Sequence, residues 1–191
     1  IRYQTSLYGW DTAVQVLMLN LSKIYGVTLQ GSLLGAGVWF EGTYVDPESS
    51  FGEAYKAGNL GVEYMLGDGT YLFIEYHQDL SGAAKEDFYS ESRARFAMTH
   101  AGSSFLARDY FGLGVTHQWS PLLSMSGTLL RNIMDRSMLS QVIFDYNVEE
   151  DLYLGAGVTL THAPELAFSA TESTEFSQYP EQAFLSIRRY W

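Results

Sequence analysis

Four consecutive segments of this chain, each about a dozen residues long, obey a single rule of alternation. Between Asp109 and Ser120, Phe111, Leu113, Val115 and Trp119 fall on one face, while Tyr110, Gly112, Gly114, Thr116 and Gln118 fall on the other. Leu123, Met125 and Leu129 then oppose Ser124, Ser126, Thr128 and Asn132. Val142, Phe144, Tyr146 and Val148 oppose Gln141, Asp145 and Asn147, and Leu152, Leu154, Ala156, Val158 and Leu160 oppose Tyr153, Gly155, Gly157, Thr159 and Thr161. Successive side chains of a strand point to opposite faces, so a period of two marks a sheet with one apolar face and one small or polar face. Length is the second constraint. A strand that crosses a bilayer needs about 9 to 11 residues, roughly twice the usual strand of a soluble domain.

Composition agrees with strands that cross a membrane. The 191 residues suffice for one domain, no linker divides them, and only 17% are charged against about 25% in ordinary soluble domains. No stretch approaches the roughly 18 consecutive apolar residues of a spanning helix, so a membrane would be entered by strands. The net charge of −11 argues against nucleic acid as a partner, because a phosphate-binding surface needs Lys and Arg. With no cysteine, disulfides, thiolate metal sites, haem attachment and cysteine nucleophiles are excluded. The reading is an all-β chain, a transmembrane antiparallel up-and-down β-barrel of ten or eleven strands.

Register supports it. The apolar sets on either side of 67–69, 120–122 and 149–151 stay on one face only if each connection is a three-residue hairpin loop. Eight strands are predicted near 35–46, 54–66, 70–80, 108–119, 123–134, 138–148, 152–163 and 183–191. Before them, 12–20 and 27–30 look extended, and 1–9 is a further strand or the start of the next. The longer connections 46–53, 79–108, 132–137 and 163–181 all fall at the opposite end from the short turns, the asymmetry expected of external and periplasmic ends. A short helix is expected over 92–97. The chain opens on Ile1 already alternating, so the expectation is one barrel domain over 1–191 that lacks earlier strands of a larger barrel.

The last residues, Phe184, Leu185, Ser186, Ile187, Arg188, Arg189, Tyr190 and Trp191, resemble the terminal strand of bacterial outer-membrane β-barrels. In that family the final aromatic is an assembly signal. The resemblance implies that Tyr190 and Trp191 anchor the chain at the membrane interface, and that the barrel-assembly machinery and outer-membrane lipids are partners. Arg189 departs from the pattern, which has an aromatic or apolar residue there. More widely, Gly37-Val-Trp-Phe-Glu-Gly, the run from Gly61 to Tyr76, Ala107-Arg-Asp-Tyr-Phe and Ser120-Pro-Leu-Leu-Ser-Met are similar to the C-terminal half of porin-like outer-membrane proteins of Gram-negative bacteria. That implies passive passage of solutes, and it brings no catalytic residue.

The residues themselves carry little other chemistry. His77, His100, His117 and His162 lack the spacing of a metal pair, no Gly-x-Ser-x-Gly elbow occurs, and the glycine-rich pieces lack the helix and lysine of a phosphate loop. No enzyme activity, metal or cofactor is expected. The informative residues are charges on the polar face: Glu41, Glu63 and Glu75, with Asp145 and Arg188 farther along. The turn at 67–69 sets Glu63 opposite Phe73 and Glu75 opposite Gly61, making the two carboxylates diagonal neighbours. These five are candidate lumen-lining residues of a channel. The alternative is an internal network plugging a narrow barrel that anchors or sheathes another envelope protein. Glu165, Glu172, Glu175 and Glu181 read as one solvated acidic loop.

Overall fold

The structure, a computed structural model, describes residues 1–19, 21–100, 103–163 and 174–190. Among these residues eleven strands form one antiparallel sheet in strict sequential order: β1 (Arg2–Leu7), β2 (Trp10–Leu19), β3 (Ser22–Leu33), β4 (Ala36–Pro47), β5 (Tyr55–Met65), β6 (Tyr71–Asp79), β7 (Asp109–Ser120), β8 (Leu123–Asn132), β9 (Met138–Glu149), β10 (Leu152–His162) and β11 (Gln182–Arg189). The chain is all-β and up-and-down, as the alternation requires. Among the described residues the sheet is open, since β1 pairs only with β2 and β11 only with β10.

Of the first three strands, β2 falls on the extended stretch expected at 12–20, β1 decides between two alternatives and β3 is longer than expected. Residues 1–9 hold a separate strand, and the short extended piece at 27–30 is the middle of the twelve-residue β3. The hairpins that bound these strands turn at Tyr8 and Gly9 and at Leu34 and Gly35, all with positive φ. That is the backbone of a type I′ turn, whose twist matches the flanking strands but whose usual mark is Asn-Gly or Asp-Gly. Tyr and Leu there hid both turns.

Later hairpins keep the expected register by a local device. At 67–69 the three-residue loop is present, closed by Leu66 N–H donating to the Thr70 carbonyl at 2.8 Å. At the other two, the turn itself has two residues: Ser120 pairs with Leu123, and Glu149 with Leu152. A bulge next to each pair absorbs one residue, so the ladder beyond it has the register a three-residue loop would give. The apolar face therefore stays continuous across β7 to β10.

That outward face is built in bands. Val62, Ile74, Leu113 and Phe144 occupy its middle, and Tyr64, Trp119 and Tyr146 stand toward the short turns, whereas Tyr25, Tyr44 and Tyr76 stand toward the long connections. An apolar belt between two aromatic rows is the arrangement of strands whose outer side meets lipid. Among the described residues no helix is long and apolar enough to cross a membrane.

The long connection between β6 and β7 packs inward. It carries a 3₁₀ turn (Glu86–Phe88) and two short helices, α1 (Tyr89–Ala94) and α2 (Phe96–Thr99), broken at Arg95 where one helix had been expected over 92–97. Ala83, Tyr89, Leu106 and Ala107 from this segment bury against Tyr110 and Phe176, with Leu130 and Leu139 beside them. Tyr110, Leu130 and Leu139 belong to the polar-face rows of β7, β8 and β9. The segment thus covers that face at the long-loop end.

Candidate functional site

The polar face of β4, β5 and β6 gathers three of the expected charges into one hollow of about 380 Å³, lined by Glu41, Glu63, Glu75, Trp39, Tyr71 and Phe73, with Thr28 and Gln30 of β3 at its side. The ladder sets Glu41 across from Asn59, Glu63 across from Phe73, and Glu75 across from Gly61. Among the described residues no Lys or Arg lines it. Neutral donors hold two of the carboxylates instead. Tyr71 donates its hydroxyl to Glu63, and Trp39 Nε1–H donates to Glu75 Oε2 at 3.2 Å. Trp39 reaches Glu75 by lying flat over Gly61, where an added Cβ would come within 2.0 Å of the indole. Glu41 has no hydrogen-bond or ion-pair partner among the described residues. Neutral donors leave the charge in place, so the wall presents a negative field to the space in front of it. Among the described residues no three His, Asp or Glu are arranged to hold a metal ion.

Asp145 and Arg188 form a second charged patch, away from the first. Arg188 reaches diagonally across β10 to pair with Asp145. Gly155 lies between them, and a Cβ there would meet Ser186 Oγ at 2.6 Å and Asp145 Oδ1 at 3.3 Å. Both partners are about half exposed, 41% and 49%, so this patch is neutralised but still wet. Tyr190 follows β11, where its amide donates to the Asp151 carbonyl at 3.0 Å and its ring meets Tyr153 edge-on at 5.6 Å. Tyr153 is the cross-strand partner of Arg188 on the polar face, which sets Tyr190 on the inner side. Trp191, the other expected anchor, lies outside the described residues, as do Glu165 and Glu172.

The remaining acids of the supposed solvated loop divide. Glu181 is exposed, but Glu175 is only 2% exposed and sits at the centre of a hydrogen-bonded knot. Glu175 Oε1 accepts the Leu106 amide at 2.9 Å, and Oε2 accepts the Tyr110 hydroxyl and Asn132 Nδ2–H, the latter at 2.8 Å. Asn132 Nδ2 also donates to the Tyr89 hydroxyl at 2.7 Å, and Tyr89 donates to Asp135 Oδ2 at 2.9 Å. Asp135 Oδ2 accepts the Glu175 amide at 2.7 Å, closing the ring. Burial pushes the Glu175 carboxyl and the Tyr89 phenol above their ordinary values, the donors to Glu175 opposing the shift there. Sequence reasoning missed this knot because the residues it bonds to one another lie 40 and more positions apart in the chain. The one local signal was Asn132-x-x-Asp135-x-Ser137, the composition of a tight side-chain-bonded turn.

A second clamp fixes the base of the same segment. Arg95 pairs with Asp79 at 3.3 Å, both side chains nearly buried, and also donates to Ser92 Oγ and to the carbonyls of Phe105 and Leu106. The covering segment is therefore tied down at both of its ends.

An apolar outer face, a polar inner wall and an inward-packed long connection make a specific architecture. The sequence matches no protein-family profile and no curated protein. Among solved structures it is similar to a porin refined at 1.8 Å resolution, with a TM-score of 0.59 and 12% identity over 86% of this chain. The fold is porin-like. The chain spans 56%, about half, of the length of that porin.

Proposed function

We propose that this chain is an outer-membrane, porin-like channel, or a large part of one, through which small solutes pass passively across a Gram-negative envelope. One observation carries the proposal: a wall with three carboxylates and no base faces inward, while the opposite side of the same strands is apolar between two aromatic rows. A lumen so lined favours cations. Glu41, Glu63, Glu75, Asp145 and Arg188 line it, and the last strand is the surface offered to the assembly machinery.

The test is conductance in planar bilayers. The wild-type protein is expected to conduct and to prefer cations, and replacing Glu41, Glu63 and Glu75 together by Gln should bring the cation-to-anion ratio toward unity while assembly is retained. Unchanged selectivity removes these residues from the pore. A second reading, a plugged barrel that anchors or sheathes another envelope protein, draws on the segment that covers the polar face at the long-loop end. A protein that inserts but never conducts, neither as wild type nor with 86–103 deleted, makes that reading the better account.

A further inference from the structure

Two glycines stand side by side on the outward face, on neighbouring strands. Gly42 of β4 and Gly58 of β5 are cross-strand partners, and together they floor a hollow of about 640 Å³. Phe40, Leu60 and Tyr76 wall it toward the middle of the sheet; Tyr25, Tyr44 and Leu80 wall it toward the long-loop end. Lys56 is the cross-strand partner of Tyr44 and stands on that second rim. It is exposed, and its ammonium has no hydrogen-bond or ion-pair partner among the described residues. Asp46, two residues beyond Tyr44, is opposite Lys23 instead. The Tyr25 and Tyr44 rings lie 6.0 Å apart on the same rim, and their hydroxyls make no hydrogen bond among the described residues.

The order along the strands is apolar trough, then phenol hydroxyls, then an unpaired cation. An amphiphile with an anionic head has the complementary order. We propose that the hollow takes an acyl chain of an anionic, phosphate-bearing membrane lipid, whose phosphate rests on Lys56 and accepts from the Tyr25 and Tyr44 hydroxyls. This rests on the reading of the outward face as lipid-facing. Charge complementarity selects the lipid over a second copy of the chain: an apolar subunit interface would bury the Lys56 ammonium unpaired, which is costly, whereas a Lys at the headgroup level keeps its charge in a polar layer. The aromatic row at the same level is where headgroups would lie.

Native mass spectrometry of the detergent-purified protein tests it, with dioleoyl phosphatidylglycerol and dioleoyl phosphatidylcholine as probes. Wild type should bind the phosphatidylglycerol about fivefold more tightly, since one basic residue near a membrane surface is worth about 1 kcal/mol. Lys56→Gln should abolish the preference and Lys56→Arg restore it. Gly42→Leu fills the trough and should weaken both lipids alike; the Cβ there would first meet the side chains of Phe40 and Val27 at 3.2 Å. Equal binding by wild type, or a preference that survives Lys56→Gln, overturns the proposal whether or not the glycine variant folds. So does an oligomer that Gly42→Leu dissociates while lipid binding is unchanged. To separate this from the reading beneath it, a fluorophore on a cysteine at Leu113, outward but distant, is exposed to brominated lipids in vesicles. Quenching with no lipid preference ends the lipid site alone, and absence of quenching ends both.

Discussion

Glu175 and Glu63 each accept a tyrosine hydroxyl, and neither forms an ion pair among the described residues. They do opposite things. Glu175 is enclosed and satisfied by three donors, so its carboxyl group holds the long connection, the β8–β9 turn and the approach to β11 together. Glu63 has one such donor and an open hollow in front of it. The same carboxylate is a structural rivet where water is excluded and a source of field where water remains, because burial decides whether a lost partner can be replaced by solvent.

Truncation should separate the two most strongly. Glu175→Ala orphans the Leu106 amide, the Tyr110 hydroxyl and one Asn132 N–H in a dry site, and is expected to destabilise the long-loop end by about 3 kcal/mol or more, read as rapid proteolysis within 86–103 in folded, detergent-solubilised protein. Glu63→Ala leaves a single phenol that water can reach, and should change protease resistance by under about 1 kcal/mol. Equal resistance in the two variants would break the contrast.

Acid sharpens it next. Because burial raises the Glu175 carboxyl above its ordinary value of 4.5, the folded state binds that proton more tightly than the unfolded chain does. The stability this contributes is fully present below 4.5 and is lost as the pH rises through the raised folded value. Hydrogen exchange at the Leu106 amide, corrected for intrinsic rate, should therefore be most protected in mild acid and less so toward neutrality. Glu175→Gln should flatten that dependence; an unaltered profile would assign it to another group.

The smallest effect is expected at Asp145 and Arg188. With both side chains nearly half exposed, a double-mutant cycle of Asp145→Asn and Arg188→Gln should give a coupling of about 0.5 kcal/mol in urea titrations of the folded barrel. A coupling several times larger would mean that the pair is enclosed in the membrane and resembles the knot rather than the acidic wall.

What could be read from the sequence follows the same division. Strands β4 to β11 and the shared face of Glu41, Glu63 and Glu75 were legible because alternation is local and register passes from strand to strand through short turns. In β2 and β3 the inward row carries Ala13, Leu17 and Ile24, so the contrast between faces fades and the boundaries were lost. Trp39 as donor to Glu75 was missed because it depends on the gap left by Gly61 one strand away. The knot joins residues that only the folded long connection brings together, and Glu175 alone gives no sign that it will be buried.

The direction of the outermost strands sets a rule of counting. With eleven strands in alternating sense, β1 and β11 point the same way, so seaming these two edges to each other would create a parallel ladder in an otherwise antiparallel wall. Parallel pairs have slanted, slightly weaker hydrogen bonds. An antiparallel seam on both sides instead calls for an odd number of intervening strands, and any such number added to eleven is even, as in bacterial single-chain barrels. Among the described residues the two edges of this sheet thus favour closure by parity: one or three further strands keep every pair antiparallel, and two would leave one parallel pair.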